Sequence, residues 1–198
     1  MSGRDARDDR AHWTAKYASE IRESPPSAWV AGHLAALAAD AVCLDLASGA
    51  GRHAALLAGA RRTVVALDFV EPVVRRAAER PGVLGVVAEA GALPFGAATF
   101  DLVVVVNFLD RSLFGALGGL LRPGGRLIVE TFTLENLQRI PAGRRRGPSN
   151  PAFLLEPGEL PRLVAPLRVI AASEGLVRDA AGERWTAGVV AERTTVDG

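Results

Sequence analysis

At 198 residues the chain has room for one three-layer domain and little for a second, and its 49% apolar share is that of a globular protein. Lysine and arginine number 23 against 22 acidic residues, a formal charge of +1, which gives no overall pull toward nucleic acid or a membrane surface. One cysteine, Cys43, excludes an internal disulfide and a cysteine-cluster metal site, and three dispersed histidines offer no paired ligand spacing; no metal is expected, and a reducing cytoplasm fits.

In chain order, residues 1–10 carry charge throughout and read as a frayed tail on a single domain spanning 1–198. The most apolar long window, 27–47, is interrupted by His33, Asp40 and Asp45, so neither a signal peptide nor a membrane span is expected. Only Lys16 is lysine among the basic residues, which suits a GC-rich bacterial genome. Residues 12–22 read as a helix with Trp13 and Tyr17 four apart on one face. A second helix is expected over 26–39, started by Ser24-Pro25-Pro26-Ser27 and striped by Trp29, Val30, Leu34 and Leu37.

Residues 41–54 organise the rest. A short apolar run meets a carboxylate at Asp45, turns through Gly49 and Gly51, and continues into a helical composition from Arg52 and His53 onward. Glycines suit such a corner because the backbone must adopt positive φ and admit a ligand where a Cβ would stand. The helix start beyond it offers N–H groups to polar ligand atoms.

The alternation then repeats. Residues 63–67 read as a strand ending at Asp68-Phe69, and 71–79 as a helix with Pro72 in its first turn. Residues 83–88 form a third strand ending at Glu89-Ala90, and 102–106 a fourth, ending at Asn107, whose valine run marks burial on both faces. A helix over 111–121, opened by Arg111, leads through Pro123-Gly124-Gly125 into a fifth strand, 126–132. Residues 135–150, holding Arg144, Arg145 and Arg146, read as a loop, and 157–164 as a short helix. Strands at 167–172 and 185–191, separated by Asp179-Ala180-Ala181-Gly182, read as a hairpin. The pattern predicts an α/β fold: a doubly wound, mostly parallel seven-stranded sheet, Rossmann-like, with helices on both faces and a C-terminal antiparallel hairpin. Ligands of such sheets bind at the carboxyl ends of the strands, so Asp45, Asp68, Glu89 and Asn107 should line one rim.

Two ligand classes suit the glycine corner. Gly49-Ala50-Gly51-Arg52-His53-Ala54 fits the G-x-G-x-x-G/A dinucleotide fingerprint, and Asp68 stands nineteen residues after Gly49, where a ribose-binding acid belongs. Asp45 would repel a pyrophosphate and would suit a ligand with a cationic amino group, such as S-adenosylmethionine. No Tyr-x-x-x-Lys pair accompanies the corner.

The ordered set Leu44-Asp45-Leu46-Ala47-Ser48-Gly49-Ala50-Gly51, Val65-Ala66-Leu67-Asp68, Ala88-Glu89-Ala90, Phe100-Asp101-Leu102-Val103 and Leu121-Arg122-Pro123-Gly124-Gly125 resembles the class I S-adenosylmethionine-dependent methyltransferases. Trp13, Tyr17, Gly51-Arg52-His53, Glu130-Thr131-Phe132 and the run from Gly147-Pro148 to Leu160 resemble the small tellurite-resistance type of that superfamily. Ala47 stands where the family often has its first glycine, and Glu89 where aspartate is commoner.

The resemblance implies S-adenosyl-L-methionine as cofactor. It implies that Asp45 holds the methionine amino group, that Ala47, Ser48, Gly49 and Gly51 form the cradle, and that Asp68 accepts the ribose hydroxyls. Phe69 would pack on the adenine, Glu89 would take its amino group and the Ala90 N–H its ring nitrogen. Asn107 would lie nearest the transferred methyl as the candidate catalytic residue. Substrate-side candidates are Trp13, Tyr17, His53, Arg111, Arg144, Arg145 and Arg146. The acceptor is expected to be a small molecule, with tellurite-like oxyanions and thiols first, and nucleic acid and membrane are disfavoured. Nothing in the pattern selects monomer over homodimer. A dinucleotide-dependent oxidoreductase and a non-catalytic binding subunit of the same fold remain the alternatives.

Overall fold

In the computed structural model, Thr14 and residues 24–59, 61–179 and 182–195 are described. The helix expected over 12–22 therefore lies outside the described residues, apart from a helical Thr14. The rest alternates helix and strand: α1 (Ala28–Gly32), β1 (Val42–Leu46), α2 (Arg52–Leu57), β2 (Thr63–Asp68), α3 (Glu71–Ala78), β3 (Val83–Val87) and β4 (Phe100–Val106). A 3-10 turn (Arg111–Leu113) then leads into α4 (Phe114–Leu120), β5 (Leu121–Phe132) and α5 (Glu135–Arg139). Another 3-10 turn (Pro151–Phe153), α6 (Leu160–Leu163), β6 (Arg168–Asp179) and β7 (Gly182–Glu192) complete the order.

The seven strands form one sheet in the order β3-β2-β1-β4-β5-β7-β6. Pairing is parallel from β3 through β5, and β7 runs antiparallel between β5 and β6. Alternate residues feed a core on each face. Leu44 and Leu46 of β1 pack with Val103, Val105, Leu127 and Val129, while Cys43 packs on the other side with Val104, Ile128 and Val30. Asp45 sits two residues beyond Cys43 and Glu130 two beyond Ile128, so both carboxylates emerge from that second face near the carboxyl rim.

Several boundaries differ from the sequence pattern. The helix expected over 26–39 ends at Gly32, capped at its start by Ser27 Oγ accepting the Val30 N–H. At its end the His33 ring Nδ1 donates to Trp29 O at 2.7 Å, the carbonyl a continuing helix would offer to the His33 N–H, and that N–H bonds Val30 O instead. Beyond it the carbonyls of Leu37 and Ala38 accept from the Arg62 guanidinium, at 3.1 and 2.9 Å, while Leu34 and Leu37 still pack on the core. The helix expected over 111–121 opens as a 3-10 turn because Asp110 Oδ1 accepts the Ser112 N–H, and it yields Leu121 to β5. Residues 135–139, expected in a loop, form α5, and α6 is shorter than the 157–164 helix expected. The hairpin strands run to 12 and 11 residues, since their pairing continues to Asp179 opposite Gly182. Polar residues such as Ser173, Glu174 and Arg178 hide this from a hydrophobic pattern because β6 is an edge strand with much of its surface exposed. Among the described residues no helix is long and apolar enough to cross a membrane.

Candidate functional site

The corner between β1 and α2 is held in left-handed backbone. Ala47, Gly49 and Gly51 have φ of 55, 51 and 75°. Ala47 thus keeps the geometry of a glycine position despite its Cβ, at a cost of about 1 kcal/mol. The turn is laced to its neighbour: the Ser48 N–H donates to Leu67 O and the Gly49 N–H to Asp68 Oδ2, at 3.0 and 2.9 Å. Gly51 has a packing reason as well, because a Cβ there would stand 2.6 Å from the Ala77 Cβ. Its missing side chain lets α2 approach α3.

Three carboxylates end three adjacent strands around this turn. Asp45 is 1% exposed and its Oδ2 accepts the Ala54 N–H at 2.8 Å. Burial pushes its pKa up to about 7, against the lowering effects of that bond and of Arg52. Asp68 is also buried; Oδ1 accepts from the Val70 N–H and Oδ2 from Gly49, and burial again raises its pKa. Glu89 is exposed just beyond β3 and contributes like charge to Asp68. Phe69 and Ala90 are half-buried beside them. The site is therefore electronegative, and suits a cation with several hydrogen-bond donors better than a pyrophosphate.

On the same face, a polar network joins the candidate His53 to Ser27, Glu130 and Thr186, which were not site candidates, and ties α1 to the corner. The Ser27 N–H donates to His53 Nε2 at 3.1 Å, and Ser27 Oγ donates to Glu130 Oε2. Thr186 Oγ1 reaches the other Glu130 oxygen at 3.5 Å. His53 is 3% exposed, and burial with the nearby Arg52 charge pushes its pKa down to about 3, so it is neutral with Nε2 as the acceptor. The signal for Glu130 was available: it stands near the carboxyl end of β5 as Asp45 does on β1.

The acceptor-side candidates are spread along the same rim. Asn107 follows β4 with φ of 59°, is exposed, and donates its N–H to Glu130 O at 2.8 Å. Arg111 forms a two-pronged pair with Glu159, at 2.6 and 2.8 Å, and donates to Ala152 O and Leu154 O. It anchors the 150–160 segment, and the pair holds the Glu159 carboxyl below its usual range. Arg144, Arg145 and Arg146 lie beside the β6–β7 tip, at the other end of the rim from Asp68: Arg144 meets Glu183 at 3.9 Å, and Arg145 bridges to Glu183 through its backbone. Trp13 and Tyr17 lie outside the described residues. No cluster of three or more potential metal ligands occurs among the described residues.

The strand order separates the two readings of the glycine corner, since dinucleotide-binding sheets of order 3-2-1-4-5-6 lack an antiparallel strand inserted between β5 and β6. Residues 44–129 match the family described as a methyltransferase domain. The chain is 38% identical over 97 residues to a demethylmenaquinone methyltransferase of Beutenbergia cavernae, covering 46% of this chain and 40% of that one. It is 33% identical over 128 residues to a demethylmenaquinone methyltransferase of Renibacterium salmoninarum, covering 55% and 54%. The chain thus spans about half, or less, of the length of these relatives. A solved S-adenosylmethionine-dependent methyltransferase from Methanosarcina mazei shares the fold at a TM-score of 0.64 and 18% identity, over 86% of this chain and 99% of that one.

Proposed function

We propose that this chain, whose residues 44–129 match a methyltransferase domain, transfers a methyl group from S-adenosylmethionine to a small nucleophilic acceptor. The observation that carries the reading is the pair of buried carboxylates, Asp45 and Asp68, flanking a turn with three left-handed residues at the ends of adjacent parallel strands. These residues fit the cofactor. Asp45 is a desolvated acid that a neighbouring ammonium would return to its ionised form. Asp68 spends lone pairs on the Gly49 and Val70 N–H groups and, with about four acceptor sites on a carboxylate, can still accept from ribose hydroxyls.

S-adenosylmethionine supplies a methyl group already activated by its sulfonium. The chain's own task is then to orient the acceptor in line and keep water out. Phe69 would pack on the adenine, Glu89 would take its amino group, and the Ala90 N–H would meet a ring nitrogen. Ala47, Ser48 and Gly49 would present backbone to the methionine moiety. Asn107, exposed beyond β4, is the catalytic candidate that would lie nearest the methyl. His53 acts through Ser27 on the placement of α1 and not as a base, since its Nε2 is occupied. Arg111 shapes the acceptor side by anchoring residues 152–159.

For the acceptor, the names of the relatives suggest a demethylmenaquinone-like quinone, and the arginines at 144–146 suggest an oxyanion or a carboxylate; tellurite-like oxyanions and thiols belong in the same panel. A cytoplasmic location is part of this reading and rests on a single buried thiol, Cys43. The test is transfer of isotope-labelled methyl from S-adenosylmethionine to a panel of quinones, oxyanions and thiols. Labelling of one small-molecule class supports the proposal, and efficient labelling of nucleic acid or protein instead would overturn it.

A further inference from the structure

The hairpin tip gathers arginines that are far apart in sequence. β7 residues 182–185 extend past Phe132, the last residue of β5, because Phe132 is already opposite Thr186. The tip therefore projects beyond the carboxyl rim. The segment after α5 is stitched to it: buried Asn136 donates to Arg146 O and accepts the Trp185 N–H, and Gly182 lies against the Arg146 side chain.

Six arginines surround this hairpin tip, Arg139, Arg144, Arg145, Arg146, Arg178 and Arg184, with Arg178 and Arg184 on opposite faces of the two-stranded ribbon. The ion pairs there involve two carboxylates. Glu183 takes Arg178 at 3.0 Å and Arg144 at 3.9 Å, and Asp179 takes Arg184 at 2.6 Å. Arg139, Arg145 and Arg146 have no ion pair among the described residues; Arg139 lies over the Trp185 ring, 5.0 Å from its centroid. A concentration of positive charge on a chain of net charge +1 is set against excess acid elsewhere, and the rim around Asp45, Asp68 and Glu89 holds part of that acid. Opposite potentials at the two ends of one rim orient a ligand whose ends differ in charge. The forked donors of arginine match phosphate oxygens, and a patch this exposed, with Arg144 71% and Arg178 69% accessible at the side chain, suits a multiply charged group more than a single enclosed anion.

We infer that this corner binds a phosphate-bearing ligand, with Arg139, Arg145 and Arg146 as its principal contacts. The inference rests on the methyltransferase reading only where that ligand is the acceptor; the binding itself is independent of it. Two sources share the chemistry: a free phosphate or diphosphate ester, and the headgroups of an anionic lipid surface.

The experiment uses the full chain and three probes. Inorganic pyrophosphate and orthophosphate are titrated calorimetrically at low and at 0.3 M salt, and sedimentation with phosphatidylglycerol vesicles is compared with phosphatidylcholine vesicles. Saturable pyrophosphate binding that weakens with salt, and falls at least tenfold in Arg139→Gln/Arg145→Gln/Arg146→Gln, is expected. Retention on phosphatidylglycerol alone, lost in the same variant, would assign the lipid source. S-adenosylhomocysteine affinity, measured on each protein, should be unchanged, which shows that the variant is folded and tests the methyltransferase reading separately. A single variant, Arg146→Gln, serves if the triple variant does not fold. No binding of any probe, or equal binding by the variants, would overturn the inference.

Discussion

Replacing Asp45 with Asn isolates the electrostatic cost of the corner. The substitution keeps an acceptor for the Ala54 N–H and removes only the ionisation of a side chain that is 1% exposed. Asp45 titrates near 3.8 when solvated and at about 7 in the fold, with burial the main cause. The folded state thus holds its proton more tightly than the unfolded state. The associated stability is fully present below pH 3.8 and is lost as the pH rises through about 7. Three pH units correspond to about 4 kcal/mol, an upper bound for a site that can relax or admit water. Urea denaturation of both proteins at pH 5, 6, 7 and 8.5 measures it. Wild type should lose stability relative to Asp45→Asn across this window, with the gap opening to about 2–4 kcal/mol by pH 8.5. Asp68 is present in both proteins, so its own raised pKa largely cancels in the comparison. Parallel stability profiles would refute the claim that burial holds this carboxyl near neutrality.

Gly51→Ala should cost about 2–4 kcal/mol in denaturant titration, the sum of a left-handed φ of 75° and a Cβ placed 2.6 Å from that of Ala77; a loss under about 0.5 kcal/mol would mean that α2 shifts freely. Asp68→Ala removes the acceptor of the Gly49 and Val70 N–H groups along with the proposed ribose contacts, so S-adenosylhomocysteine affinity should fall at least tenfold in calorimetry, about 1.4 kcal/mol or more. Unchanged affinity would leave Asp68 as a turn former. Arg111→Ala should destabilise by about 1–2 kcal/mol, because its pair with Glu159 is partly exposed, and should increase proteolysis within 150–160; an unchanged cleavage pattern would remove its anchoring role.

The parallel half of the fold was legible because each strand there is an apolar run ended by a polar residue and followed by a helix or turn signal. Asp45, Asp68 and Glu89 could be placed on one rim from that punctuation alone. Ala47 is instructive: the sequence offers an alanine where a glycine is usual, yet the surrounding bonds of Ser48 and Gly49 hold its backbone left-handed. What the pattern could not show was long-range. Arg62 holds the Ala38 carbonyl from a distance of 24 residues, and Ser27 meets Glu130 across 103. Neither leaves a local periodic trace. The length of the β6–β7 hairpin was hidden by polar residues that an edge strand tolerates. The three arginines of 144–146 could likewise be read as a run, but their place at the hairpin tip depends on Asn136 bonding both Arg146 and Trp185, and on Glu183, which are distant in sequence.

Calorimetric titration of the full chain with S-adenosylmethionine, S-adenosylhomocysteine, NAD and NADP side by side tests the central claim most directly. Both sulfur ligands should bind in the micromolar range, about −8 kcal/mol at 1 μM, with affinity falling below pH 7 as Asp45 takes up its proton, and the dinucleotides should give no appreciable heat. Tight NAD or NADP binding with no response to S-adenosylhomocysteine would contradict the account.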